Sequence, residues 1–269
     1  MSMYFCPLYS GSNGNCLFVQ YGSTRLLIDA GKSGKMIADA LQGIGADPRS
    51  VSGLLITHEH SDHILGAGIL ARRYGIPIYA TRETWMAMED KVKQIPPETR
   101  REINSGDEFL LGDIGVSAFS IPHDAADPVG YRLWGGKTSI STATDLGCFT
   151  PEVFSRIRGS DMILLESNHD PEMLKQNPRY SPALKKRILG NLGHLSNEAC
   201  GEALIRLING GTKTILLGHL SGENNTPELA LSVSTRMAER EGICPGRDIN
   251  LDVARRDQIG HVYNLEEAP

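Results

Sequence analysis

No stretch of this 269-residue chain approaches the roughly 18 consecutive apolar residues of a membrane-spanning helix, so no such span is expected. Cysteine is scarce. The five cysteines, Cys6, Cys16, Cys148, Cys200 and Cys244, are odd in number, scattered, and never paired as CxxC. That excludes a disulfide framework or a structural zinc cage and points to reduced thiols in a cytoplasmic protein. Positive charge is not in excess: 27 Lys and Arg against 32 Asp and Glu leave a net charge of −5. A broadly basic, nucleic-acid-coating surface is therefore excluded. A nucleic-acid substrate is not, because bound divalent cations and a local basic groove can supply the charge. The first ten residues lack the basic start and apolar core of a signal peptide. Low-complexity tracts, linker-like composition and repeats of solenoid period are also missing, so one domain over 1–269 is expected.

What is present is an alternation of short β runs and helical segments in both halves. Period and composition predict strands over 16–20, 25–29, 53–57, 76–80, 108–111, 115–121, 129–133, 137–143, 162–166, 214–218, 250–252 and 260–264. Helices are predicted over 33–44, 64–74, 82–92, 151–157, 182–188, 197–209 and 227–241. Ser196 ahead of an apolar face, and Gly210-Gly211 behind it, bracket one of them. The two similar halves predict an α/β (α+β) protein, a four-layer αββα sandwich. Two mixed sheets would pack face to face with helices outside. Functional residues then belong on loops at one edge.

Between the strand ending at Thr57 and the helix from Ile64 lies His58-Glu59-His60-Ser61-Asp62-His63, four metal-ligand types in six residues. Alternate histidines on an extended loop can address one ion. Asp62 and His63, at the turn into the helix, can face a second about 3.5–4 Å away. Further donors stand at strand ends: His123 after Ile121-Pro122, Asp145 after Ser141–Thr144, and His219 after Leu216-Leu217-Gly218. Asp145 is a candidate bridge between the ions. The His/Asp set suits zinc or manganese, and iron as well.

These motifs, in this order, resemble the metallo-β-lactamase superfamily across nearly the whole chain. The resemblance implies that His58, His60 and His123 hold one divalent ion. It implies that Asp62, His63 and His219 hold the other, with Asp145 between them and a metal-bridging hydroxide as nucleophile.

Three further segments narrow the substrate. The small-residue loop Ser10-Gly11-Ser12-Asn13-Gly14-Asn15 can bring backbone N–H groups to an anion, with Ser12, Asn13 and Asn15 as substrate-binding candidates. Glu166, at the end of a buried strand, is placed to orient another side chain, while His169 nearby is expected in a supporting or surface role. Gly193-His194-Leu195-Ser196-Asn197 carries a histidine beyond the metal set, His194, suited to donate a proton to a leaving oxygen. Arg72, Arg73, Arg132, Lys185, Lys186 and Arg187 are basic residues able to line a groove.

The combination of these segments with Pro122-His123-Asp124-Ala125, Thr144-Asp145-Leu146-Gly147, Glu166-Ser167-Asn168-His169-Asp170 and Gly218-His219-Leu220-Ser221-x-Glu223-Asn224-Asn225 resembles the YycJ (WalJ) family. That resemblance implies a DNA exonuclease acting from 5′ ends, with Asp62, Glu166 and His194 in catalysis and Asn224 and Asn225 at the substrate. DNA is then expected ahead of RNA. The rival readings are a small-molecule hydrolase of the same fold (thioesterase, lactonase or β-lactamase) and a binding module that kept its metals without turnover.

Overall fold

The computed structural model describes residues 1–266. Its strands are β1 (Met3–Tyr9), β2 (Cys16–Tyr21), β3 (Thr24–Ile28), β4 (Gly53–Leu55), β5 (Ile78–Thr81), β6 (Arg100–Ile103) and β7 (Glu108–Leu111). They continue with β8 (Ile114–Ser120), β9 (Val129–Gly135), β10 (Thr138–Ala143), β11 (Met162–Glu166), β12 (Thr214–Gly218), β13 (Asn250–Val253) and β14 (Tyr263–Leu265). The helices are α1 (Gly34–Gly43), α2 (Ser61–Ile64), α3 (Ala67–Tyr74), α4 (Arg82–Val92), α5 (Pro151–Ile157) and α6 (Pro171–Gln176). After them come α7 (Pro182–Ile188), α8 (Asn197–Asn209) and α9 (Pro227–Arg240). No helix among the described residues is long and apolar enough to cross a membrane.

Two mixed seven-stranded sheets result, in the orders β14-β1-β2-β3-β4-β5-β6 and β13-β12-β11-β10-β9-β8-β7. By contact the described residues form two compact units, one of residues 1–120, 125–138 and 255–266, the other of 121–124 and 139–254.

In the first unit, β1, β2 and β14 pair antiparallel, while β3 to β6 run parallel. Its core gathers Leu27, Leu54 and Ile56 from the strand region with Ile37, Leu41, Leu70, Trp85 and Met88 from α1, α3 and α4. In the second unit, β10 to β13 are all parallel. Strand β11, Met-Ile-Leu-Leu-Glu, is buried throughout. A continuous apolar run is what a strand covered on both faces demands. Helix α8 packs on α9 and on β11. Ser196 caps α8, its hydroxyl accepting from the Ala199 N–H, and Gly210 ends it, as its sequence predicts.

Elements with strong hydrophobic period lie close to their predicted bounds; those without it do not. Strands β1 and β6 and helix α6 have no counterpart among the predictions. The predicted strand over 260–264 begins only at Tyr263, leaving His261 exposed with its ring edge-on to Tyr263 at 4.9 Å. The predicted 64–74 helix divides into α2 and α3 around Leu65 and Gly66.

Candidate active site

In the first unit, the turn after β4 carries His58, His60, Asp62 and His63. It is held from below by Asp29, which follows β3. Asp29 is buried and takes φ 61, a left-handed conformation rare outside glycine, so its carboxylate leaves the strand end toward the turn. It accepts from the Thr57 N–H (2.8 Å) and the Thr57 hydroxyl (2.9 Å), and stands 2.7 Å from His63 Nδ1. Burial pushes the Asp29 carboxyl up; His63 and Thr57 pull it down without cancelling that rise.

This network sets the histidine tautomers. A carboxylate only accepts, so His63 carries its proton on Nδ1 and turns its Nε2 lone pair outward. The Thr57 hydroxyl, spent as donor on Asp29, accepts from His58 Nδ1 at 3.0 Å, which leaves the proton off His58 Nε2. His58 Nε2 stands 3.0 Å from His60 Nδ1, near the roughly 3.3 Å edge expected between two nitrogens on one tetrahedral ion. His63 Nε2 lies 3.5 Å from Asp62 Oδ2.

Asn15 braces the same turn. Its backbone N–H donates to the Asp62 carbonyl (2.8 Å) and its side-chain amide meets His63 Nε2 at 3.1 Å. Between them sits Gly31, where a Cβ would lie 1.7 Å from the Asp62 carbonyl oxygen. Only glycine allows that approach.

The second unit presents the other donors on one strand-end edge. Asp145, two residues past β10, and His219, one past β12, both take positive φ (58 and 54), as Asp29 does. Three of the four non-glycine residues with positive φ among the described residues are thus site residues at strand ends. Such strain persists where the surroundings enforce it, and it concentrates at functional sites.

Glu166, fully buried at the end of β11, organises the cluster. Its Oε1 accepts from His219 Nδ1 (2.7 Å) and His194 Nδ1 (2.9 Å); its Oε2 accepts from the backbone N–H groups of Leu146 (2.7 Å) and Leu195 (3.1 Å). Burial alone would raise the Glu166 carboxyl, but the two histidines outweigh it and hold the group well below the usual carboxylate range. Burial likewise depresses His194, yet Glu166 and Asp145 overcome it and raise the ring above the ordinary imidazole range. His123 donates from Nδ1 to the Gly193 carbonyl at 3.2 Å, and its Nε2 lies 3.8 Å from Asp145 Oδ1. Donor atoms of Asp145, Glu166, His194 and His219 all lie within 4.8 Å of one another.

So His63 in the first unit and His123, His194 and His219 in the second each spend Nδ1 on an oxygen acceptor. That is how metal-ligating and proton-transferring histidines are oriented. The His/Asp clusters fit divalent metal binding.

The remaining sequence candidates divide. Ser12 and Asn13 are exposed, Asn13 donating to Asp257. Asn15, Asn224 and Asn225 are buried and used inside the protein: Asn225 donates to the Ser167 carbonyl, and Asn224 accepts from Asn177. Asn168, one residue from His169, donates to the His219 carbonyl at 2.8 Å and fixes that strained residue. His169 is buried, and neither of its ring nitrogens has a hydrogen-bond partner among the described residues. Of the candidate groove cations, Arg72 is spent on the carbonyls of Val92 and Gln94, and Arg187 on Asp124. Asp29 and Asn168 are the contributors that the sequence reading passed over. Asp29 carried the signal used for Asp145 and His219, a polar residue ending a buried apolar strand.

Residues 24–219 match the family described as Beta-lactamase superfamily domain, and the chain belongs to that family. It is accordingly a metal-dependent hydrolase with an α/β metallo-β-lactamase fold. It is 40% identical over 246 residues to a Bacillus anthracis protein named Exodeoxyribonuclease YycJ, covering 91% of this chain and 93% of that one. It is 43% identical over 225 residues to Exodeoxyribonuclease WalJ of Streptococcus pneumoniae serotype 2 (strain D39 / NCTC 7466), covering 83% of each. The crystal structure of the metallo-beta-lactamase fold protein YhfI from Bacillus subtilis superposes with a TM-score of 0.71 at 15% identity, covering 98% of this chain and all of that one.

Proposed function

We propose that this protein is a cytoplasmic, dinuclear metal-dependent DNA exonuclease that digests from 5′ ends. In this reading residues 1–269 act as one domain. His58, His60 and His123 would hold one divalent ion and Asp62, His63 and His219 the other, with Asp145 as the carboxylate between them. Zinc, manganese and iron all suit these donors. When bound, the pair supplies positive charge at the phosphoryl group and lowers the pKa of water.

The chain's own residues do the rest. Glu166 holds Nδ1 of both His194 and His219 on one oxygen, and this shared grip is the observation that carries the reading. With Nδ1 fixed, His194 points Nε2 to the cluster and delivers a proton from it to the leaving oxygen as the P–O bond breaks. Asp29 and Thr57 keep His58 and His63 in the ligating tautomer. Asp62 takes part both as ligand and in orienting the attacking water. The exposed Ser12 and Asn13 are placed to meet substrate; Asn15, Asn224 and Asn225 support the site from within.

Two relatives that match along most of their length are named exodeoxyribonucleases, which favours DNA over a lactam or thioester. The test is a panel of linear DNA blocked by phosphorothioates at either end, RNA, a chromogenic lactam and a thioester, each with manganese or zinc. Degradation of 3′-blocked but not 5′-blocked DNA is expected. Survival of all nucleic acid while a small ester is consumed would refute the reading.

A further inference from the structure

Residues 177–193 contain four basic side chains, Arg179, Lys185, Lys186 and Arg187, and no acidic one, in a chain of net charge −5. Helix α7 lies within this stretch and has no buried residue. Apolar burial therefore does not hold it in place; polar ties do. Lys185 Nζ donates to the Lys175 carbonyl, and the Arg187 guanidinium forks onto Asp124, with Nη2 3.0 Å from Oδ1. The Asp124 N–H donates to the Leu192 carbonyl (3.1 Å) and the His194 N–H to the Ile188 carbonyl (3.0 Å). The Gly193 carbonyl takes His123 Nδ1 at 3.2 Å. All but the first of these ties end on His123, its neighbour Asp124, or His194.

Two of the four cations are consumed. Arg187 is paired with Asp124, and Arg179 with Glu223 at 3.2 Å. Lys185 and Lys186 have no ion pair with an acid among the described residues. A solvated helix face commonly intersperses both signs of charge; this one keeps one sign only. Its two unneutralised cations are anchored through the backbone to the proposed proton donor. Leu189 and Leu192, exposed on the same segment, offer apolar surface beside them.

We propose that α7 and the loop after it form a platform for the phosphate backbone of a DNA strand. Lys185 and Lys186 contact phosphates next to the one being cleaved, and Arg187 latches the platform to Asp124. This rests on the nuclease reading above and adds to it where the strand runs.

Backbone contacts release counterions, so each lysine steepens the salt dependence of binding, by about 0.7 in log K per log salt for a single strand. The full-length, metal-loaded protein and its Lys185→Ala/Lys186→Ala variant would be titrated with a fluorescein-labelled phosphorothioate single strand across a salt series. Both would also be assayed on ordinary single-stranded DNA and on a 4-nitrophenyl ester of thymidine 5′-monophosphate. The expected result is a slope shallower by about 1.4 in the variant. The preference for the long strand over the small ester should fall at least tenfold, and Lys185→Arg/Lys186→Arg should retain both. An unchanged slope, or equal loss on both substrates, would overturn the platform. Failure of the nuclease reading is seen separately, in the unsubstituted protein: it would cleave no DNA while hydrolysing a thioester or lactam, and the platform would fall with it.

Discussion

The His63 Nδ1 atom lies 2.7 Å from the Asp29 carboxylate, with both side chains buried. This contact makes Asp29 the residue that decides which His63 nitrogen faces the site. Asp29→Asn keeps the shape but places an amide N–H or a neutral carbonyl where the imidazole proton needs a carboxylate. Metal affinity should fall by about 10–100-fold, as outer hydrogen-bond partners of metal ligands usually show. Competition with a chelator followed by metal analysis measures it; unchanged affinity would remove Asp29 from the site's support.

The role proposed for His194 separates proton donation from metal holding. His194→Ala should lower turnover of DNA by about 10²–10⁴-fold. A 4-nitrophenyl phosphodiester, whose leaving group departs without a proton, should lose far less. Bound metal, counted by mass spectrometry, should stay at the unsubstituted level. Equal losses on both substrates would mean that His194 does not act as an acid.

Gly31→Ala tests the close approach beneath the ligand turn. The added methyl would overlap the Asp62 carbonyl and the Asn15 N–H, both backbone atoms. One of the two segments must move, at a cost toward the upper end of the roughly 1–3 kcal/mol seen for overpacking, or beyond it. Chemical denaturation reads the stability. A variant as stable as the parent would contradict the packing described.

His169 predicts a pH dependence. Burial pushes its pKa down to about 4, whereas an unfolded histidine titrates near 6.5. Between those values the unfolded chain binds a proton that the native ring does not. Stability is therefore full above about pH 6.5 and lost as pH falls toward 4, by up to about 3 kcal/mol. His169→Gln should flatten that acid limb in urea denaturation at pH 7 against pH 5. An identical limb in parent and variant would rule His169 out as its source.

The sequence made the site more legible than its support. His58 to His63 stand together in the chain, and His123, Asp145 and His219 each follow an apolar run, so period and position reveal them. Strand β11 was equally plain, since five buried apolar-to-acidic residues leave little choice. Strand β1 was not, because Cys6 and Pro7 interrupt its pattern and one of its two partners, β14, lies at the far end of the sequence. Asn15, Asn224 and Asn225 look like ligand-binding polar residues in a loop. Their burial, and the groups they satisfy, depend on segments tens of positions away. The double duty of Glu166 toward His194 and His219 is likewise a tertiary fact, written in no local motif.

The proposed function requires two ions on this His/Asp set for DNA hydrolysis, and a stoichiometric reconstitution measures that requirement. Chelated protein at a known concentration would be titrated with manganese while the degradation of linear DNA is followed. No activity is expected without metal, with a plateau at two ions per chain and closed circular DNA left intact. Activity in the fully chelated protein, or saturation at a single ion, would contradict it.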